Sequence, residues 1–150
     1  MKSKAINGIA LGLLATLTVA APATSKPGYH YDSTPSTLIS RKVVASGNFV
    51  RVDHRTVGRA TIINEDGNFY LELDEGFQTD MGPDLLVLLH QDDVPRSYSA
   101  GKYVNLGRLK KVRGEQRYAI SGMVDLEEVS SVVIWCRRFN VTFGYANFNN

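Results

Sequence analysis

The stretch RATIINEDGNFYLELDE, residues 59–75, constrains the fold more than any other part of this chain. Ala60 and Ile62 on one run, and Phe69, Leu71 and Leu73 on the next, alternate with polar residues on either side of Glu65-Asp66-Gly67-Asn68. A period of two belongs to a strand with one face buried, and Asp-Gly supplies the positive backbone angles of a tight hairpin turn. From about Val43 onward no window sustains the three-to-four spacing of a surface helix. Instead, short apolar runs at 84–90, 102–109, 116–121, 130–136 and 140–146 are punctuated by glycine and Asn/Asp. The pattern predicts an all-β chain.

Two of those runs, 85–89 and 132–136, are apolar at every position, which asks for burial on both faces. Two packed sheets provide that environment. The expected architecture is therefore a single-domain antiparallel β-sandwich, with a closed barrel as the second choice. A chain of 150 residues, 43% hydrophobic, has enough material for one such core.

The N-terminal part does not belong to that core. Lys2 and Lys4 make a positive start, 5–20 is mostly apolar, and Ala21-Pro22-Ala23 offers small residues for cleavage, so 1–23 reads as a secretory signal peptide cut after Ala23. Residues 24–42, rich in Ser, Thr, Pro and Tyr, read as an extended leader. The domain is expected over 43–150. This organisation predicts a secreted or periplasmic protein with no stable membrane insertion after cleavage.

Cleavage also alters the charge balance. Loss of Lys2 and Lys4 from 17 Lys and Arg leaves 15, against 15 Asp and Glu, so the formal charge of +2 resides in the signal. A balanced mature chain is not built for nucleic acid. The cluster Arg108, Lys110, Lys111 and Arg113 lies between Gly107 and Gly114, where a solvated strand connection accounts for it.

The chain has one cysteine, Cys136. An unpaired thiol in an oxidising compartment is an inert core side chain, half of an intermolecular disulfide linking a dimer, or a functional thiol. Alternation puts Val132, Ile134 and Cys136 on one face and Val133 and Trp135 on the other, which suits a small core hydrophobe. Arg137 and Arg138 follow at once. A nearby guanidinium favours the thiolate, and Arg138, two positions on, is the better placed by alternation.

Other constellations are weaker. His30, His54 and His90 share no metal-ligand spacing, and His90 with Asp92 and Asp93 lacks the glycine and distal glutamate of a calcium loop, so neither a metal nor a cofactor is expected. A cysteine hydrolase would need His54 or His90 to reach Cys136 and an oxyanion site besides. Asn140-Val141-Thr142 matches a glycosylation sequon, within the run read as a strand.

Gly47-Asn48-Phe49, Val57-Gly58-Arg59-Ala60, Gly82-Pro83-Asp84-Leu85, Asn105-Leu106-Gly107-Arg108-Leu109, Gly114-Glu115-Gln116-Arg117-Tyr118, Val133-Ile134-Trp135-Cys136 with Phe139, and Phe143-Gly144-Tyr145-Ala146, in that order, resemble the DM-thirteen domain family. The resemblance covers about 45–148. It departs at Tyr118-Ala119-Ile120-Ser121-Gly122, where the family pattern would run into a proline. It implies an extracytoplasmic all-β redox or electron-transfer module centred on its cysteine, here Cys136; the sequence around that cysteine adds Arg138 and Arg137 as the groups expected to tune the thiolate. The implied partner is a redox protein of unknown identity, with a haem-bearing one among the options.

The alternative is a non-enzymatic extracytoplasmic binding or matrix module with an inert, buried Cys136. Exposed aromatics at Tyr29 and Tyr31, or at Tyr98 and Tyr103, would then meet a partner or polysaccharide.

Overall fold

Asp66 and Gly67 both have positive φ, 49° and 87°, and between them the chain reverses from β3 (Arg59–Glu65) into β4 (Asn68–Leu73). The Asp-Gly turn thus does what its two residue types allow, and Asn64 Oδ1 accepts from the Gly67 N–H at 2.8 Å. The computed structural model describes residues 39–148, together with Gly12, Val19 and Ala20. The strands all lie in a compact unit of residues 37–150. The hairpin is the nucleus of an antiparallel sheet that accounts for nearly all regular structure.

Ahead of the hairpin run β1 (Arg41–Arg51) and the short β2 (Thr56–Val57). After it come β5 (Gln78–Thr79), β6 (Leu85–His90), β7 (Tyr103–Arg108), β8 (Gln116–Ile120), β9 (Ser131–Cys136) and β10 (Val141–Asn147). The single helical turn among the described residues is a 3-10 turn at Leu126–Glu128, capped by the Asp125 side chain. Among those residues no helix is long and apolar enough to cross a membrane.

The protein is all-β, and eight strands join in the order β7-β6-β9-β10-β1-β3-β4-β8. β1 is the corner: 41–48 pairs with β3, and 49–51 pairs with β10. A strand that changes partners in this way folds one leaf of the sheet over the other. The outermost strands, β7 and β8, are joined by 109–115 and come close enough to make the sheet nearly closed and barrel-like. Sandwich and barrel are here two descriptions of one curled sheet.

Gly47 marks the crossing. A Cβ there would stand 2.1 Å from the Asn147 carbonyl oxygen, so β1 approaches β10 more closely than any side chain permits.

The core between the leaves takes one face of each strand. Ala60, Ile62, Leu71, Leu73, Tyr118 and Ile120 from one leaf meet Leu85, Val87, Leu89, Val132, Ile134, Cys136 and Phe143 from the other. The opposite face of β6 and β9 carries Leu86, Leu88, Val133 and Trp135. All six residues of each of these strands are buried. The expected burial on both faces is present, but the outer cover is not a second sheet. It is made by Tyr98 and Tyr103, from the β6–β7 connection and β7, with Tyr145.

Candidate functional site

Cys136 is the last residue of β9, between Leu85 of β6 and Val141 of β10 in the ladder. It shares its face with Val132 and Ile134, as alternation predicts, and its side chain is fully buried. It is a free cysteine.

The chain then turns. Residues 137–140 are exposed, and Asn140 closes the turn with φ 53° before β10 begins at Val141. Asn140 therefore sits in a turn rather than within a strand. Its Oδ1 accepts from Trp135 Nε1 at 3.2 Å, which ties the turn back to the sheet. Asn readily takes the left-handed conformation here because its short polar side chain finds a local partner.

The two arginines are placed by that turn. Arg137 donates its backbone N–H to the Asp84 carbonyl at 3.1 Å, and its Nε donates to Asp84 Oδ2 at 2.8 Å. Arg138 lies with its guanidinium 5.9 Å from the centre of the Phe139 ring. Alternation past Cys136 does not carry over, because the strand ends there. The contacts of both guanidinium groups are with Asp84 and Phe139, outside the aliphatic row that holds the sulfur.

Asp84 is the residue that sequence reading passed over. Gly82-Pro83-Asp84 reads as a loop entering a strand. In the fold, the Asp84 side chain is only 13% exposed and sits between two arginines, with Arg108 Nη2 3.2 Å from Oδ1 and Arg137 on Oδ2. Arg108 ends β7, Asp84 precedes β6 and Arg137 follows β9, so three adjacent strands deliver one carboxylate and two cations to a single rim. Nothing in their spacing announces this, because Arg137 is 53 residues from Asp84.

On the outer face, Trp135 is roofed by Tyr98, with ring centroids 4.5 Å apart and planes at 21°. Tyr103 packs against both, at 6.1 Å from Trp135 and 6.2 Å from Tyr98. Tyr98 and Thr142 share a hydroxyl–hydroxyl hydrogen bond of 2.5 Å. Burial pushes the Tyr98 phenol above its ordinary range; the Thr142 hydrogen bond acts against this and the Asp53 charge adds to it. These two tyrosines are half-buried partners of Trp135 rather than a freely exposed aromatic cluster. Tyr29, Tyr31 and His30 lie outside the described residues.

His54 and His90 are committed elsewhere. His90 is fully buried; its Nδ1 accepts from the Asp92 N–H at 3.0 Å and its Nε2 lies 2.9 Å from the Ser97 carbonyl oxygen. That geometry makes Nε2 the protonated nitrogen. His54 stacks on Phe143 at 3.9 Å and has Asp80 Oδ2 3.4 Å from Nδ1. Among the described residues no three His, Cys, Asp or Glu side chains converge as metal ligands would.

A family model described as Electron transfer DM13 matches residues 48–148, from inside β1 to the residue after β10. The chain belongs to the electron transfer DM13 family. The match takes in the end of β1 from Asn48 and every later strand of the curled sheet, and with them Cys136, Asp84 and the 137–140 turn. No curated protein and no solved structure matches the chain. Membership in the electron transfer DM13 family therefore rests on the family model alone. It marks the domain as an electron-transfer module and leaves the chemistry to be argued from its residues.

Proposed function

We propose that this chain is an exported electron-transfer module whose redox group is the Cys136 thiol. Family membership supports the electron-transfer class. The observation that supports Cys136 is its position as the last ladder residue before an exposed four-residue turn. A local opening of that turn together with the end of β9 would bare the sulfur, and local openings of this kind lie far below global unfolding in free energy. Once bared, the sulfur is followed in sequence by the exposed Arg137 and Arg138.

The exchange step is simple to balance. Cys136 loses its proton to solvent, its thiolate attacks one sulfur of a disulfide on the redox partner, a Cys136–partner disulfide forms, and the partner's other sulfur leaves as a thiolate.

A second reading has one observation in its favour: Cys136 is wholly buried in an aliphatic row, as an inert core cysteine would be. In that reading the domain is an extracytoplasmic binding or matrix module, and its loops meet a partner or polysaccharide.

Alkylation of native protein separates the two. The redox reading expects a rate well below that of a free thiol yet far above the rate of global unfolding, rising with pH along a thiolate curve. A rate equal to that of global unfolding would sink it. Loss of function is best tested with Cys136→Ala, since serine would place a hydroxyl in an apolar row at a cost of about 1–3 kcal/mol and confound chemistry with stability.

A further inference from the structure

The charges of this domain are segregated along the strands of one leaf. At one end of β7-β6-β9 stand Arg108, Arg137 and Arg138, with Lys110, Lys111 and Arg113 on the adjoining connection to β8. Leu109 is tied into that end by its N–H to the Leu85 carbonyl, 2.9 Å. The acids there are Asp84, already enclosed by Arg108 and Arg137, and Glu115 on the connection, with Asp53 beside Thr142 and Asp80 beside His54 in the adjoining loops, fewer than the cations. At the other end, beyond His90 and before Ser131, lie Asp92, Asp93, Asp125, Glu127 and Glu128, accompanied by Arg96 and Lys102. A mature chain with balanced charge is therefore electrically lopsided.

The basic end has a further feature. Phe139, at the tip of the 137–140 turn, is 65% exposed, and Met81 in the loop before β6 is 84% exposed. The turn is not a loose tail: Trp135 Nε1 holds it through Asn140, and Asp84 holds it through Arg137. A fixed, projecting aromatic flanked by arginines has the composition enriched at interface centres. Cys136 lies three residues before Phe139.

We propose that this basic end, with Phe139 at its centre and Arg108, Arg137 and Arg138 around it, docks the electron-transfer partner through an acidic surface on that partner. The partner class rests on the electron-transfer reading; the docking itself does not depend on the chemistry of Cys136. Charge complementarity selects the occupant. A partner carrying an excess of carboxylates is drawn to this end and repelled by the opposite one, so the domain's charge asymmetry orients the encounter before contact. A fast, weak, salt-sensitive complex results, which is what repeated electron exchange requires.

The test uses the purified chain and three probes: flavodoxin, an acidic electron carrier; cytochrome c, a basic one; and vesicles of equal parts phosphatidylglycerol and phosphatidylcholine. Backbone NMR signals are followed during each titration at several salt concentrations. Flavodoxin is expected to move the signals of Arg108 and of 137–140, with an affinity that falls steeply as salt rises. Arg138→Glu combined with Phe139→Ala, both changed side chains being solvent-facing, should weaken it by about tenfold. Cys136→Ala should leave it unchanged, so docking and thiol chemistry can fail separately.

Four outcomes would overturn the proposal. Three are flavodoxin binding the charge-reversed variant as well as the parent, the vesicles binding this end more tightly than flavodoxin does, and the same signals shifting with protein concentration alone. The last would mean that the basic end meets the acidic end of a second copy. Cytochrome c moving 137–140 as strongly as flavodoxin would also count against it.

Discussion

Trp135 and Tyr98 stack face to face, 4.5 Å between centroids, across the outer surface of β9. The ring of Tyr98 does for that surface what a second sheet would do in a thicker sandwich. Removing it by Tyr98→Ala should lower stability by roughly 2–3 kcal/mol, from lost apolar burial and the broken Thr142 hydrogen bond. Tyr98→Phe should cost only about 1 kcal/mol. Denaturant titration followed by Trp135 fluorescence checks both. A red shift of the native emission is expected for the alanine variant alone, because only there does water reach the indole.

The close crossing at Gly47 gives a sharper expectation. A methyl group would fall 2.1 Å from the Asn147 carbonyl oxygen, and both partners are backbone, so no side chain can swing aside. Gly47→Ala should cost about 3 kcal/mol or more and open the β1–β10 pairing first. The Phe49 N–H donates to the Gly58 carbonyl, so hydrogen exchange at Val50 and Tyr145, paired across that seam, is what reads this. Unchanged protection there would show that the strands part and re-form without loss.

The strands were legible because alternation and turn chemistry act locally. Asp66-Gly67 sets its hairpin by its own backbone preferences, and the Val132, Ile134, Cys136 row follows from the period of two. The curl of the sheet was less legible, since it depends on β1 changing partner between Asn48 and Phe49, which no local pattern records. The site shows the same division. Cys136 could be found because it is the only thiol. Asp84, in contrast, acquires its role from Arg108 and Arg137, which reach it only when β7, β6 and β9 lie side by side. Tyr98 and Tyr103 looked like surface residues because nothing in their loop shows that Trp135 lies beneath.

Alkaline pH should weaken the fold through two phenols. Burial raises Tyr98 and Tyr118 above the ordinary value, opposed by hydrogen bonds from Thr142 and from the Lys110 N–H respectively, with Asp53 adding to the rise at Tyr98. The unfolded chain therefore sheds these protons first. Their stabilising contribution is complete below the unfolded value of about 10 and declines as pH climbs from there through the folded values. Denaturation midpoints measured from pH 8 to beyond about pH 11 should fall, and Tyr98→Phe should flatten the fall. An equal fall in that variant and the parent would assign the effect to other groups.

Asp84 ties the rim to the turn that follows Cys136. Its carboxylate holds Arg137 by a 2.8 Å hydrogen bond and has Arg108 at 3.2 Å, so it anchors that turn at the end of β9. Asp84→Asn keeps the shape but removes the charge that binds both guanidinium groups. Because both arginines are more than half exposed, 70% and 55%, solvent screens the pairs and global stability should fall by only about 1 kcal/mol. The turn should respond more strongly than the fold: alkylation of Cys136 in native buffer should quicken severalfold while the unfolding midpoint moves little. An alkylation rate that tracks the midpoint alone would mean that the thiol is reached by global unfolding and that the Asp84 anchor does not govern access.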